Sequence, residues 1–340
     1  MASIFKTFSP DDKATTTTNL HEVIPITGTI VSGTYSDNNI KNYSHAMFQS
    51  VYDYPYLSSS ANHIFDITVG YSSNSGYSSS ASTQNEKKIN IYNEFAKVLV
   101  DIDVTGNIQN FDTDGDISGG GTKMKECIFL PFSRLLVKDE IKKGSVQLTF
   151  LTGGAWPTTS DPLTLYDAGA TTGYKVNSPA GEYGLLYTSS AGGDPAVGHI
   201  YYQAGIAVIT ASVFLNFQEP DNTDVGFTIE DAMTASNITG AADGLRHRIK
   251  NLQFNNTTEL NSTVYFCRAS SNEFNYSGNP TYLSSSQIVM KNFRTDIPAS
   301  YVTTVGLYSA DNELLAVAKL SEPLKKDPTN ELTLRVRLDY

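Results

Sequence analysis

YVTTVGLYSADNELLAVAKLSEPLKKDPTNELTLRVRLDY, residues 301–340, is the most legible stretch of the chain. Its last segment alternates strictly. Leu332, Leu334, Val336 and Leu338 fall on one side, and Thr333, Arg335, Arg337 and Asp339 on the other. A period of two is the signature of a strand with one face on a core and one in water. Tyr301 to Tyr308 reads as a second strand, Ser309-Ala310-Asp311-Asn312 as a turn, and Leu314 to Leu320 as the return strand. With Pro323 and Pro328 in the connection, this predicts a three-stranded C-terminal meander.

Strand character recurs upstream. Residues 21–35 carry Val23, Ile24, Ile26, Ile30 and Val31, with Pro25 forcing an edge or a break. Ile64 to Val69, Cys127 to Leu136, Val146 to Leu151, residues 262–268 and residues 287–293 read the same way. Residues 199–217 (HIYYQAGIAVITASVFLNF) are apolar on both faces, as a covered central strand would be, with a buried helix as the alternative. One helix stands out over residues 85–100, where Ile89, Tyr92, Phe95, Ala96 and Leu99 recur at helical spacing behind a cap at Gln84 or Asn85. A shorter one is expected around Glu230–Ser236. The fold class is therefore mainly β: a β-sandwich-like or mixed β-rich body with few helices and a C-terminal β-meander. The expected division is an extended N-terminal arm over 1–20, rich in Thr; a β-rich body over 21–270, with a candidate split near the polar, glycine-rich 101–125; and a C-terminal module over 271–340. Residues 72–84 are dominated by Ser and read as a loop.

The chain has 340 residues, of which 40% are apolar and 17% charged. That charge fraction is low beside the roughly 25% of ordinary soluble domains. Ser, Thr, Asn, Gly and 20 tyrosines take the place of charge. Such a surface suits faces that neighbours cover, and ordinary all-β folds also favour Thr, Tyr and Val. The net charge is −11, and the basic clusters (Lys87-Lys88, Arg246 to Lys250, Lys325-Lys326) are short, which argues against direct nucleic-acid binding. The longest apolar run, Ala204 to Phe217, is too short and broken to span a bilayer, and the opening residues do not read as a secretory signal. Two distant cysteines, Cys127 and Cys267, read as free thiols, consistent with folding in a reducing cytosol.

Motifs for chemistry are sparse. Asn110, Asp112, Asp114 and Asp116 alternate ahead of and around Gly115, like the start of a calcium loop, but position 12 falls on Gly121 where a bidentate Glu is needed. Calcium or an acidic surface turn both fit; no other cofactor is signalled. The five histidines include no close pair, G-x-S-x-G is missing, and Gly119-Gly120-Gly121-Thr122-Lys123 lacks phosphate-loop spacing. No catalytic residues are assigned. Trp156, in Gly153-Gly154-Ala155-Trp156-Pro157, reads either as an interface anchor or as a core cap.

Three stretches carry a resemblance: NSTVYFCRASSNEFNYSGNPTY (261–282), residues 301–340, and the opening MASIFKTFSPDD. GTIVSGTYSDNNIKNYSHAMFQSVYDYPYLSSSANHIFDITVGY (28–71) and RLLVKDEIKKGS (134–145) add to it. Together they resemble virion structural proteins of marine, cyanobacteria-infecting contractile-tailed phages. The resemblance implies a non-enzymatic tail or baseplate subunit. Its partners would be copies of itself and other virion proteins, and its place the virion. It brings no active-site motif. Interface candidates are Asn275, Tyr276 and Tyr282 in the 273–283 loop, Arg335, Arg337 and Tyr340 on the last strand, and the N-terminal arm. A receptor- or glycan-binding tail protein, with Tyr52 to Tyr56 stacking on sugars, and a capsid decoration or neck protein are the alternatives.

Overall fold

A computed structural model describes residues 5–25, 37–79, 84–117, 119–151, 162–193, 195–214, 233, 238–276, 283–284, 287–288 and 295–340. Trp156, Tyr282, residues 26–35 of the first expected strand, and the helix expected at Glu230–Ser236, Met233 apart, lie outside these. The chain is mainly β, with antiparallel sheets and few helices. The strands begin with β1 (Lys13–Pro25), β2 (Ile40–Asn42), β3 (Gln49–Tyr52), β4 (His63–Tyr71), β5 (Phe111–Asp112), β6 (Lys123–Met124) and β7 (Glu126–Pro131). Next come β8 (Glu140–Ile141), β9 (Gln147–Leu151), β10 (Pro162–Tyr166), β11 (Lys175–Ser178), β12 (Gly181–Leu186), β13 (Gly198–Tyr201) and β14 (Ile206–Thr210). The last are β15 (Ile249–Ala269), β16 (Leu283–Ser284), β17 (Gln287–Ile288), β18 (Ser300–Tyr308), β19 (Leu314–Lys326) and β20 (Leu332–Asp339). Among the described residues the helices are α1 (Asn85–Leu99), α2 (Arg134–Val137), α3 (Ala170–Gly173) and α4 (Ile238–Arg246), with Met233 also helical.

Two compact units emerge: residues 20–258, and residues 1–19 together with 259–340. The larger is built on an eight-stranded antiparallel sheet in the order β11-β12-β13-β14-β7-β4-β3-β2. A second sheet portion, β8, β9 and β10 with the first half of β15, shares its core through Phe150 against Phe214 and Phe132 against Phe254. Over 199–214, the described part of 199–217, the chain differs from the single central strand expected. β13 and β14 form a hairpin across a turn at Gln203-Ala204-Gly205, because Gly205 takes the left-handed φ of +67° that reverses the chain.

Helix α1 lies where the spacing predicts. Tyr92, Ala96 and Leu99 are buried, and Phe95 stacks on Phe129 with centroids 4.2 Å apart. Gln84 occupies the cap position, but its side-chain oxygen accepts from the Ile238 amide at 2.9 Å instead of capping α1. The helix sits backbone-close on β4: a Cβ on Gly70 would lie 2.7 Å from the Lys88 carbonyl oxygen and 2.8 Å from the Tyr92 nitrogen. Only glycine admits that approach.

The smaller unit departs from the expected arm and meander. Residues 13–19 are not a free arm. They belong to β1, which runs antiparallel beside β15, with Thr15 next to Thr263 and Thr17 hydrogen-bonded to Asn261. β18 and β19 form the expected hairpin, but β20 does not return to β19. It pairs with β15 over eight positions, Ser262 opposite Asp339 through Ala269 opposite Leu332. The turn between them explains the diversion. Lys326 is fully buried, and its ammonium donates to the carbonyls of Ser271 and Asp327 and to Asn275 Oδ1. Asp327 accepts from Thr329, and Asn330 donates to the Lys325 carbonyl. The chain is thus steered off the hairpin and onto β15. The alternation of β20 holds as read: Leu332, Leu334, Val336 and Leu338 turn inward, Thr333, Arg335, Arg337 and Asp339 outward.

Gly70→Ala is expected to lower stability by about 1–3 kcal/mol, because the added methyl overpacks two backbones that cannot yield. Chemical denaturation of wild type and variant measures it.

Candidate functional site

The acidic loop is positioned by the two-residue ladder of β5 and β6, which sets Asp112 directly across from Lys123. Oxygens of Asp112, Asp114 and Asp116 all lie within 4.8 Å of one another. Asp112 is completely buried and the other two are exposed. The charge that meets them is the chain's own. Lys123 pairs closely with Asp112 and donates to the carbonyls of Ile117 at 3.0 Å and Gly119 at 2.9 Å. The carboxylates also serve the turn itself. Asp112 accepts from the Asp114 amide, Asp114 from that of Asp116, and Asp116 from that of Gly119. Asn110, the fourth candidate ligand, is directed elsewhere and accepts from the Tyr92 hydroxyl at 3.2 Å. A cation held by Asp112, Asp114 and Asp116 would have to displace the Lys123 ammonium, which already satisfies the buried carboxylate.

Under the loop lies a buried polar layer. His199 Nε2 is 2.6 Å from the Asp112 carbonyl oxygen, which can only accept, so Nε2 carries the proton. Nδ1 is then the acceptor for the Tyr201 hydroxyl at 3.3 Å. Tyr183 reaches the Gly115 carbonyl at 3.0 Å and Asn177 Oδ1 at 2.9 Å. Burial drives the His199 pKa down to about 4 from 6.5, so the ring is neutral when folded. Asp167, buried behind amides of Gly144 and Val146 and the Tyr202 hydroxyl, is pushed up to about 6 by desolvation.

Ser50, His63 and Asp66 meet across β3 and β4, and their order is wrong for a nucleophile. Asp66 Oδ1 accepts from Ser50 Oγ at 2.5 Å and from His63 Nε2 at 2.8 Å. The carboxylate sits in the middle, so the imidazole cannot take the serine proton. Aromatic rings gather around it. Tyr43 stacks with His45 at 5.2 Å and packs on Phe48, while Tyr52 packs on Tyr56 and His63. Tyr54 and Tyr56 are exposed beside them.

The remaining interface candidates lie in the smaller unit. Asn275 is used internally, bridging the Ser271 carbonyl and the Lys326 ammonium. Tyr276, Arg335, Arg337 and Tyr340 are exposed; Arg337 pairs with Asp339, and the Tyr340 hydroxyl meets Thr263. Two features of this unit escaped the sequence reading. Among its described residues, the buried apolar side chains are only Val264, Leu307 and Val336. Its β18–β19 hairpin, whose strands pair only with each other among the described residues and whose Tyr308 meets Phe5 edge-on, exposes Tyr301, Tyr308, Leu314, Leu315, Val317 and Leu324. The signal in the sequence was Leu314-Leu315 followed by Val317, which breaks the alternation of a one-sided strand.

No protein-family model, no curated protein and no solved structure matches the chain.

Lys123→Met is expected to cost about 3–5 kcal/mol, since it leaves Asp112 buried without its counter-charge; thermal and urea unfolding report it. The His199 contribution has a defined sign. Between pH 6.5 and 4 the unfolded chain binds a proton that folded His199 refuses, so its stabilisation falls as pH drops through that window, by on the order of 3 kcal/mol. Asp167 acts oppositely: folded, it keeps its proton up to about pH 6, so its contribution falls as pH rises from about 4. His199→Gln should therefore flatten or reverse the acid loss between pH 6.5 and 4, measured by urea midpoints at several pH values.

Proposed function

We propose that this chain is a non-enzymatic structural protein of a phage virion, a tail or baseplate subunit working through protein–protein contacts with copies of itself and other virion proteins. One observation carries the reading: the poverty of core among the described residues of 1–19 and 259–340. Three buried apolar side chains among the described residues are too few to hold such a module, while a row of apolar side chains on its hairpin stays in water. An isolated two-stranded hairpin is marginal in water, and a contiguous apolar patch marks a surface that something else covers. The low charge of the whole chain agrees, since charged groups are scarce in interface centres. Nothing in the Ser50–His63–Asp66 arrangement or the acidic loop supplies a relay for catalysis.

A second reading, a glycan-binding tail protein, is favoured by the exposed Tyr54 and Tyr56 beside Tyr52, His63 and Asp66, because flat rings and carboxylates are the groups that hold sugars. Tracing the chain in cryo-EM density of intact virions tests the first reading, and ordered copies in the tail or baseplate are the expected result. Absence of the chain from purified particles would sink it. Glycan-array binding abolished by Tyr54→Ala and Tyr56→Ala would move the second reading to the front.

A further inference from the structure

We propose that the cleft beside the acidic loop binds a free α-amino acid with an apolar side chain, Lys175 taking its carboxylate and Asp114 its ammonium. The site lies within the larger unit and is independent of the structural-subunit reading. Lys175 opens β11, and Asp114 stands in the turn that follows β5. Strand pairing sets Lys175 opposite Tyr183, and the Tyr183 hydroxyl donates to the carbonyl of Gly115, the residue after Asp114. The two charges thereby reach one concave site of about 340 Å³, whose lining includes Thr113, Asp114, Lys175, Leu185, Tyr187 and Ala196. Small-molecule sites start near this size and join an apolar wall to a few polar groups. Leu185, Tyr187 and the buried Ala196 supply the wall here, and the volume suits a molecule no larger than an amino acid.

The state of the two charges selects the ligand. Among the described residues the Lys175 ammonium makes no hydrogen bond and no ion pair. Asp114 is exposed and in no ion pair either; its carboxylate accepts only from the Asp116 amide, at 3.1 Å. Lys175 and Asp114 thus line one cleft without pairing with each other. Both act on His199 beneath, Asp114 raising its pKa and Lys175 lowering it. The Lys175 stem is held in place: a Cβ on Gly115 would lie 3.3 Å from its Cε. A cation positioned before the ligand arrives loses little freedom on binding. Asp112, Asp114 and Asp116 outweigh Lys123 and Lys175 by one negative charge, which disfavours a ligand that is only an anion. The open Lys175 in turn disfavours one that is only a cation. A zwitterion meets both, through charge-assisted hydrogen bonds at each end. Its ammonium on exposed Asp114 leaves Lys123 on buried Asp112.

Ligand-observed NMR titration of the full chain with L-leucine and L-phenylalanine is the measurement, with circular dichroism to verify that each variant folds. At least one of the two is expected to bind with a Kd on the order of 1 mM or tighter. For leucine, 4-methylpentanoate, which lacks the ammonium, and 3-methylbutylamine, which lacks the carboxylate, should each bind about tenfold more weakly or worse. Lys175→Gln and Asp114→Asn should each weaken the amino acid by a similar factor. Lys175→Gln should also erase the advantage of leucine over 3-methylbutylamine. Asn at 114 can still accept from the Asp116 amide, so the turn is kept. Absence of binding by both amino acids, analogues that bind as well as leucine, or affinity unchanged in both variants overturns the proposal.

Discussion

The close seat of α1 on β4 is the constraint on which the larger unit depends. Gly70 lets two backbones approach until a methyl group would not fit between them. That approach brings Phe95 flat against Phe129 on β7, and Tyr92 edge-on to Phe111. Phe111 begins the small ladder that holds Asp112 opposite Lys123. The acidic loop is therefore held from beneath by aromatic packing, and His199 completes the support by donating to the Asp112 carbonyl. A buried carboxylate is tolerated because its partner charge comes from the facing strand.

The smaller unit obeys a different balance. Its order comes from backbone ladders and polar latches more than from apolar burial. β15 pairs with β20 over eight positions, Arg268 meets Asp12, and the Lys326 ammonium fills a cage of carbonyls and Asn275. Hydrogen bonds of this sort fix geometry but contribute only modest net stability. The apolar groups that would add to it point outward along β18 and β19. A module so organised owes its order chiefly to its ladders.

Elements with strong local periodicity were legible. The two faces of β20 could be read residue by residue, and on α1 the buried Tyr92, Ala96 and Leu99 were read, while Ile89 and Phe95 are half-buried and the buried Lys88 and Ile91 were not foreseen. Residues 199–217 were misread because a hairpin with both strands buried has the same composition as one long buried strand, and only the φ of Gly205 distinguishes them. At the acidic loop, the spacing of Asp112, Asp114 and Asp116 is visible in the sequence, but the ammonium that meets them arrives from Lys123 through strand pairing.

The sequence by itself determined the mainly-β class, a helix over residues 85–100 that the structure forms over 85–99, the alternation of the last strand and the low charge of the chain, all read without knowing any tertiary contact. Tertiary structure alone decided that residues 13–19 are strand and not arm, that β20 joins β15 and not β19, and that the apolar side chains of the hairpin are exposed. Each of these depends on which distant segment offers a free edge or a buried face. A strand states its period in its own residues; its partner is chosen by competition among all the edges the fold presents.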